Sequence, residues 1–245
     1  MKDAVAASAR KRVRAEFTLA FLRAERLAPG IRHTIRQAGA EGQSASERAD
    51  HLRRSWRSAP GAIQDIVGTL EAHGIPCFRR DLVGTKANAL VATSGKHRAM
   101  VFIDLRPDVE DATWAIAHEL GHLALHDTAD RSNEDSADEF AGEFLAPAST
   151  VRELLIAGKD VNDLPEAFAV PPAKFAVHAR RSRLITAADY RRLRTLSTPP
   201  WDRVGLRPPT RIADAIDQRL GAGESIDDIA ASASLTADEL RRDYL

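Results

Sequence analysis

Two histidines four residues apart, His118 and His122, with a glutamate directly after the first, form the segment His118-Glu119-Leu120-Gly121-His122. The residues around them spell a helix. Pro107 suits a first turn, Asp108, Glu110 and Asp111 suit the positive end of a helix dipole, and Trp114, Ala117, Leu120 and Leu125 supply apolar faces. Positions four apart lie on one helix face about 6 Å along the axis, so two imidazoles can converge on one tetrahedral ion. Glu119 then stands beside that ion as a candidate general base. The competing reading is that the two histidines are polar tips on a partly buried helix and Glu119 an ordinary surface charge.

Apolar patterning supplies the surroundings. Residues 10–58 show helical spacing through Phe17, Leu19, Leu22, Leu27, Ile31 and Ile35, with breaks at Pro29-Gly30 and at 39–42. A helix is predicted from Ala59-Pro60-Gly61 through Ile63, Ile66, Val67 and Leu70, closed by Gly74. Three extended stretches follow at 75–80, 88–93 and 98–105, the last two joined by the turn Ser94-Gly95-Lys96-His97. After the histidine helix comes a polar loop over 127–132, a second helix from about 133 to 145 ended by Pro147, and further helices to Arg194. A Pro-rich stretch precedes a final unit with one helix, a polar break at 232–234 and a second helix from about Thr236. The expectation is an α+β fold: a small, mostly antiparallel sheet beside the HExxH helix and a second ligand helix, flanked by helical segments. Its divisions are an N-terminal segment 1–57, a central domain 58–195, a linker 196–209 and a C-terminal unit 210–245, which reads as a packing module although it is compatible with a helix-turn-helix.

A catalytic zinc takes a third protein ligand. His126 lies eight residues from His118, about 12 Å of helix rise, too far to share one ion with both histidines. The longer pattern with a third histidine fails because Leu125 and Thr128 stand where Gly and His would be needed. Glu134, with Asp138 one turn later, is the better candidate: one carboxylate for the metal, the other to accept an imidazole N–H and set its tautomer. Glu139 and Glu143 compete with it. His178 and Tyr190 are possible oxyanion donors, Cys77 reads as a small core residue, and Trp56, Trp114 and Trp201 read as core or interface anchors.

The stretches Trp114–His126 and Glu134–Pro147 resemble the ImmA/IrrE family of metallopeptidases, whose second motif runs roughly E-x-x-A-[ND]-x-F-A-x-x-L-[L/M]-x-P. The similarity extends upstream through 51–80 and downstream to Thr195, with Ala146 replacing a common Met away from any ligand. The resemblance implies a zincin-like core with zinc held by His118, His122 and Glu134, and with Glu119 as general base. It also implies an intracellular regulator that cleaves or inactivates a helix-turn-helix repressor.

Charge and composition narrow the class. Lys+Arg and Asp+Glu both total 35, which argues against a protein devoted to coating DNA. The charge is sorted along the chain: 104–143 carries 12 acidic against 2 basic residues, while 171–195 carries 7 basic against 1 acidic. Possible DNA contact through 171–195 is therefore part of the alternative reading, a DNA- or repressor-binding regulator whose metal site is structural or silent. The single Cys77 fits a reducing compartment, no apolar run approaches a membrane span, and no secretory leader is evident, so a cytoplasmic location without membrane contact is expected.

Overall fold

The computed structural model describes residues 2–29, 43–58, 60–80, 82, 87–94, 98–104, 108–125, 134–196 and 206–245. Their elements run α1 (Lys2–Leu27), α2 (Ala45–Ser55), α3 (Ile66–Ala72), β1 (Cys77–Arg80), β2 (Ala89–Ser94), β3 (Arg98–Asp104), α4 (Val109–Leu125), α5 (Glu134–Leu145), α6 (Ala148–Ile156), α7 (Leu164–Phe168), α8 (Pro172–Arg181), α9 (Ala187–Leu193), α10 (Arg211–Gly221), α11 (Ile226–Ser232) and α12 (Ala237–Tyr244). This is the mixed α+β fold that the sequence predicts. Ile31, Ile35, Pro107, His126, the turn at 95–97, the loop over 127–132 and Trp201 lie outside the described residues.

The sheet has the order β1-β3-β2. β2 and β3 pair antiparallel from Ala89↔Ile103 to Ser94↔Arg98, while β1 joins the other side of β3 in parallel, with Cys77 opposite Val101. β3 is therefore the central strand, and its residues alternate between two apolar layers. Val101 and Ile103 enter one cluster with Ile66, Leu70, Ile116, Leu120, Phe140 and Phe144. Met100 and Phe102 enter a second with Ala24, Leu27, Ile212, Ile216, Ile229 and Tyr244. The unbroken run Ala-Met-Val-Phe-Ile is thus a strand covered on both faces, the first by α2–α5 and the second by α1 with α10–α12.

Two helix boundaries differ from the sequence expectation. α3 starts at Ile66, because Asp65 accepts from the Gly68 N–H at 2.8 Å and caps the helix there, leaving Ile63 buried in the preceding loop. Gly74 does end it with φ 84°. The C-terminal unit holds three helices instead of two, since Gly223 at φ 94° breaks the chain after α10 and Ser225 caps α11.

Buried charges tie the layers together. Arg48 of α2 donates to the Ala124 carbonyl in the last turn of α4, at 3.2 and 3.3 Å. Arg53, one turn further on, donates to the Phe144 carbonyl in the last turn of α5 at 2.6 Å and to Gly61 O at 2.7 Å. Each guanidinium meets the negative end of a helix that carries site residues. Across the sheet, the Glu71 carboxylate accepts from the backbone N–H groups of Thr210 and Arg211, so the first turn of α10 is capped by α3.

Candidate metal centre

α4 and α5 pack closely enough that Gly121 sits within 3.2 Å (measured from an ideal Cβ) of the Ala137 backbone. A larger residue at 121 would push the helices apart. On the facing surfaces, the Nε2 atoms of His118 and His122 lie 3.2 Å from each other. Glu134, the first residue of α5, places Oε2 3.1 Å from His118 Nε2 and Oε1 3.7 Å from His122 Nε2. Among the described residues these three side chains offer ligand atoms that all lie within 4.8 Å of one another. Two imidazole nitrogens and a carboxylate oxygen in such proximity suit a small divalent cation.

The orientation of His118 has a visible cause. Its Nδ1 lies 2.9 Å from Asp138 Oδ1, a carboxylate oxygen that accepts the Nδ1–H, and Nε2 is thereby turned toward Glu134 and His122. Asp138 also accepts from Trp114 Nε1 at 3.2 Å and from Lys174 Nζ at 3.0 Å. Burial disfavours the Asp138 anion, but the bonds from His118 and Lys174 outweigh it and hold the carboxyl well below the usual carboxylate range. For His118 burial likewise opposes the charged form, and the bond to Asp138 overrides it to raise the imidazole above its ordinary value.

Glu119 faces the sheet. Its Oε2 accepts from the Val91 N–H at 3.0 Å, and burial pushes its carboxyl up to about 7 against the pull of that bond and of His118. β2 is an edge strand, and Asp104 N donates to Asn88 O, so the alternation of an antiparallel ladder turns the Val91 N–H outward. The edge of β2 and the base candidate are therefore in direct contact.

The other candidates lie elsewhere. Glu139 accepts from Ser46 and Glu143 from the Ala148 N–H, which occupies both competing carboxylates. His178 is buried against Gly142, two turns along α5 from Glu134, and bonds the Ala146 carbonyl, while Tyr190 OH accepts from Arg194; neither joins the cluster. Burial lowers the His178 pKa and keeps it neutral. Cys77 is buried in the core, its thiol pushed up by burial. Trp56 stacks on His73, and Trp114, read from sequence as an anchor, is indeed buried but also serves Asp138. Of the basic residues in 171–195, Lys174, Arg180, Arg181, Arg191, Arg192 and Arg194 all bond to groups within the chain. Lys174 and the Val91 backbone were not foreseen: Trp114 at i−4 from His118 was a visible signal, whereas a lysine from α8 and a strand N–H leave none.

Fold and cluster together describe a mixed α+β domain in which His118, His122 and Glu134, on two packed helices, could hold a metal ion. Residues 70–179 match the family model Peptidase_M78, the IrrE N-terminal-like domain, and this stretch is a domain of that family. It is a peptidase domain, which implies a protein substrate. The search of curated proteins returned no match. Among the described residues no helix is long and apolar enough to cross a membrane.

Proposed function

We propose that the protein is an intracellular zinc endopeptidase in which His118, His122 and Glu134 hold the metal and Glu119 is the general base. The observation that carries this reading is the convergence of the three ligand atoms, with separations of 3.1, 3.2 and 3.7 Å. Ligands of a tetrahedral zinc with bonds of about 2.0–2.1 Å stand about 3.4 Å apart, so the residues present fit the ion. When bound, the ion supplies Lewis acidity that polarises a carbonyl and acidifies water. Glu119 takes the proton from the attacking water and passes it to the leaving amine. In the metal-free site burial raises this carboxyl to about 7, which marks it as a group that exchanges a proton readily. Asp138 holds His118 in the tautomer that leaves Nε2 bare. The outer edge of β2 offers backbone groups to an extended substrate segment beside Glu119.

The family resemblance supports a cytoplasmic helix-turn-helix repressor as the substrate. Elemental analysis of protein purified without chelator tests the centre: one zinc per chain in the wild type, lost in His122→Ala and in Glu134→Ala, is the expected result. Absence of metal after zinc addition would overturn it. For the substrate, loss of a full-length repressor in cells expressing the wild type, and its persistence with Glu119→Gln, is expected.

A further inference from the structure

We propose that Lys174 is a positioning residue of the metal centre: its ammonium locks the Asp138 carboxylate in the orientation that presents Oδ1 to His118. The inference rests on the metal-site reading above and extends it to a residue from a different element.

The geometry is that of a carboxylate held from two sides. Oδ1 accepts from two ring N–H groups of α4, Trp114 Nε1 at 3.2 Å and His118 Nδ1 at 2.9 Å, which lie four residues apart on one helix face. Lys174 Nζ reaches the other oxygen, Oδ2, at 3.0 Å while remaining 3.3 Å from Oδ1. The ammonium also stands 5.2 Å from the centre of the Trp114 ring, so the same indole that donates to Asp138 stabilises the cation over its face. Lysine, aspartate, tryptophan and histidine therefore form one network whose far end is the Nε2 of His118, the ring nitrogen turned toward Glu134 and His122.

Without the ammonium, Oδ2 loses its hydrogen bond from Lys174, and the carboxylate would be free to turn about its last torsion and relax its hold on Nδ1–H. The surroundings make the cation matter further, because Glu119 and Glu134 put two more carboxylates near His118. The pair is no stability device: the two side chains are 43% and 32% exposed, the range in which ion pairs add little to folding. Its consequence is directional, setting which histidine nitrogen carries the proton.

Lys174→Met keeps the aliphatic stem over Trp114 and removes the charge and the donors; Lys174→Arg keeps both. Long-range proton–nitrogen spectra of the metal-free protein, taken where His118 is neutral, report its tautomer. The wild type and Lys174→Arg are expected to show mainly the Nδ1–H form, and Lys174→Met a shift toward the Nε2–H form, whose acceptor is Glu134 Oε2 at 3.1 Å. Zinc affinity, read by competition with a chromophoric chelator, should fall about tenfold in Lys174→Met, the lower end for partners of ligand histidines, and stay close to wild type in Lys174→Arg. The thermal midpoint of metal-free Lys174→Met should match the wild type. A wild-type tautomer in Lys174→Met overturns the proposal, as does a loss in that variant that Lys174→Arg fails to restore. If the wild type itself takes up no zinc, the metal-site reading fails, and the tautomer comparison in metal-free protein still decides the role of Lys174.

Discussion

Replacing Gly142 by alanine sets two ordinary rules against each other. Glycine inside a helix costs about 1 kcal/mol relative to alanine, so propensity alone predicts that Gly142→Ala stabilises α5. The structure predicts the opposite. An ideal Cβ at 142 would sit 2.6 Å from Cγ and Nδ1 of His178 and 2.9 Å from its Cβ, roughly 1 Å inside van der Waals contact. The imidazole cannot retreat, because it is 5% exposed and its Nε2 is bonded to the Ala146 carbonyl at 2.8 Å. Overpacking of this kind costs about 1–3 kcal/mol, and displacing His178 forfeits a buried hydrogen bond of about 1 kcal/mol. After the propensity gain, Gly142→Ala should destabilise by about 1–3 kcal/mol, a fall of about 2–4 °C in midpoint for each of those kcal/mol in a chain of this size. In a His178→Ala background the obstacle is gone and the same change should stabilise by up to about 1 kcal/mol. Urea denaturation of the four proteins, followed by circular dichroism, closes the cycle. The reasoning is refuted if Gly142→Ala raises the midpoint in the wild-type background, or if its effect is equal in both.

Three further outcomes follow from the same structure. Arg53→Met leaves the Phe144 and Gly61 carbonyls without their donor, a loss on the order of 2 kcal/mol in urea titrations; no change would mean that α2 does not brace α5. Removal of residues 206–245 uncovers Phe78, Met100 and Phe102 on the second sheet face, so the shortened chain should bind a hydrophobic dye or aggregate, and a monodisperse, dye-silent product would contradict that packing. Glu119→Gln should abolish peptide cleavage by a factor of about 10²–10⁴ and yet stabilise the metal-free protein in alkaline buffer. The Glu119 carboxyl binds its proton more tightly folded than unfolded, from 4.5 up to about 7, so wild-type stability falls as pH rises through that window. The gain from Gln should be on the order of 3 kcal/mol above it and vanish below it, and equal melting curves of the two proteins at alkaline pH would count against the burial of Glu119.

The sequence by itself carried the parts of this protein whose information is local. A four-residue spacing puts His118 and His122 on one face, the dipole and proline signals place α4, and Pro147 stops α5, because these depend on neighbours within a turn or two. The match over 70–179 was readable for the same reason, as motifs keep fixed spacings along two helices. Capping side chains were harder: Asp65, rather than the upstream Pro60-Gly61, starts α3. Tertiary structure alone decided what distant segments do to each other. That Glu139 and Glu143 are occupied by Ser46 and Ala148, that Lys174 reaches Asp138, and that Glu119 meets the Val91 N–H are consequences of helices and an edge strand meeting in space. The parallel pairing of β1 with β3, and the covering of the second sheet face by α1 and α10–α12, belong to the same category. A buried charge or an apolar face states that it needs a partner but not which one, and only the closure of the whole chain around both faces of the sheet makes that choice.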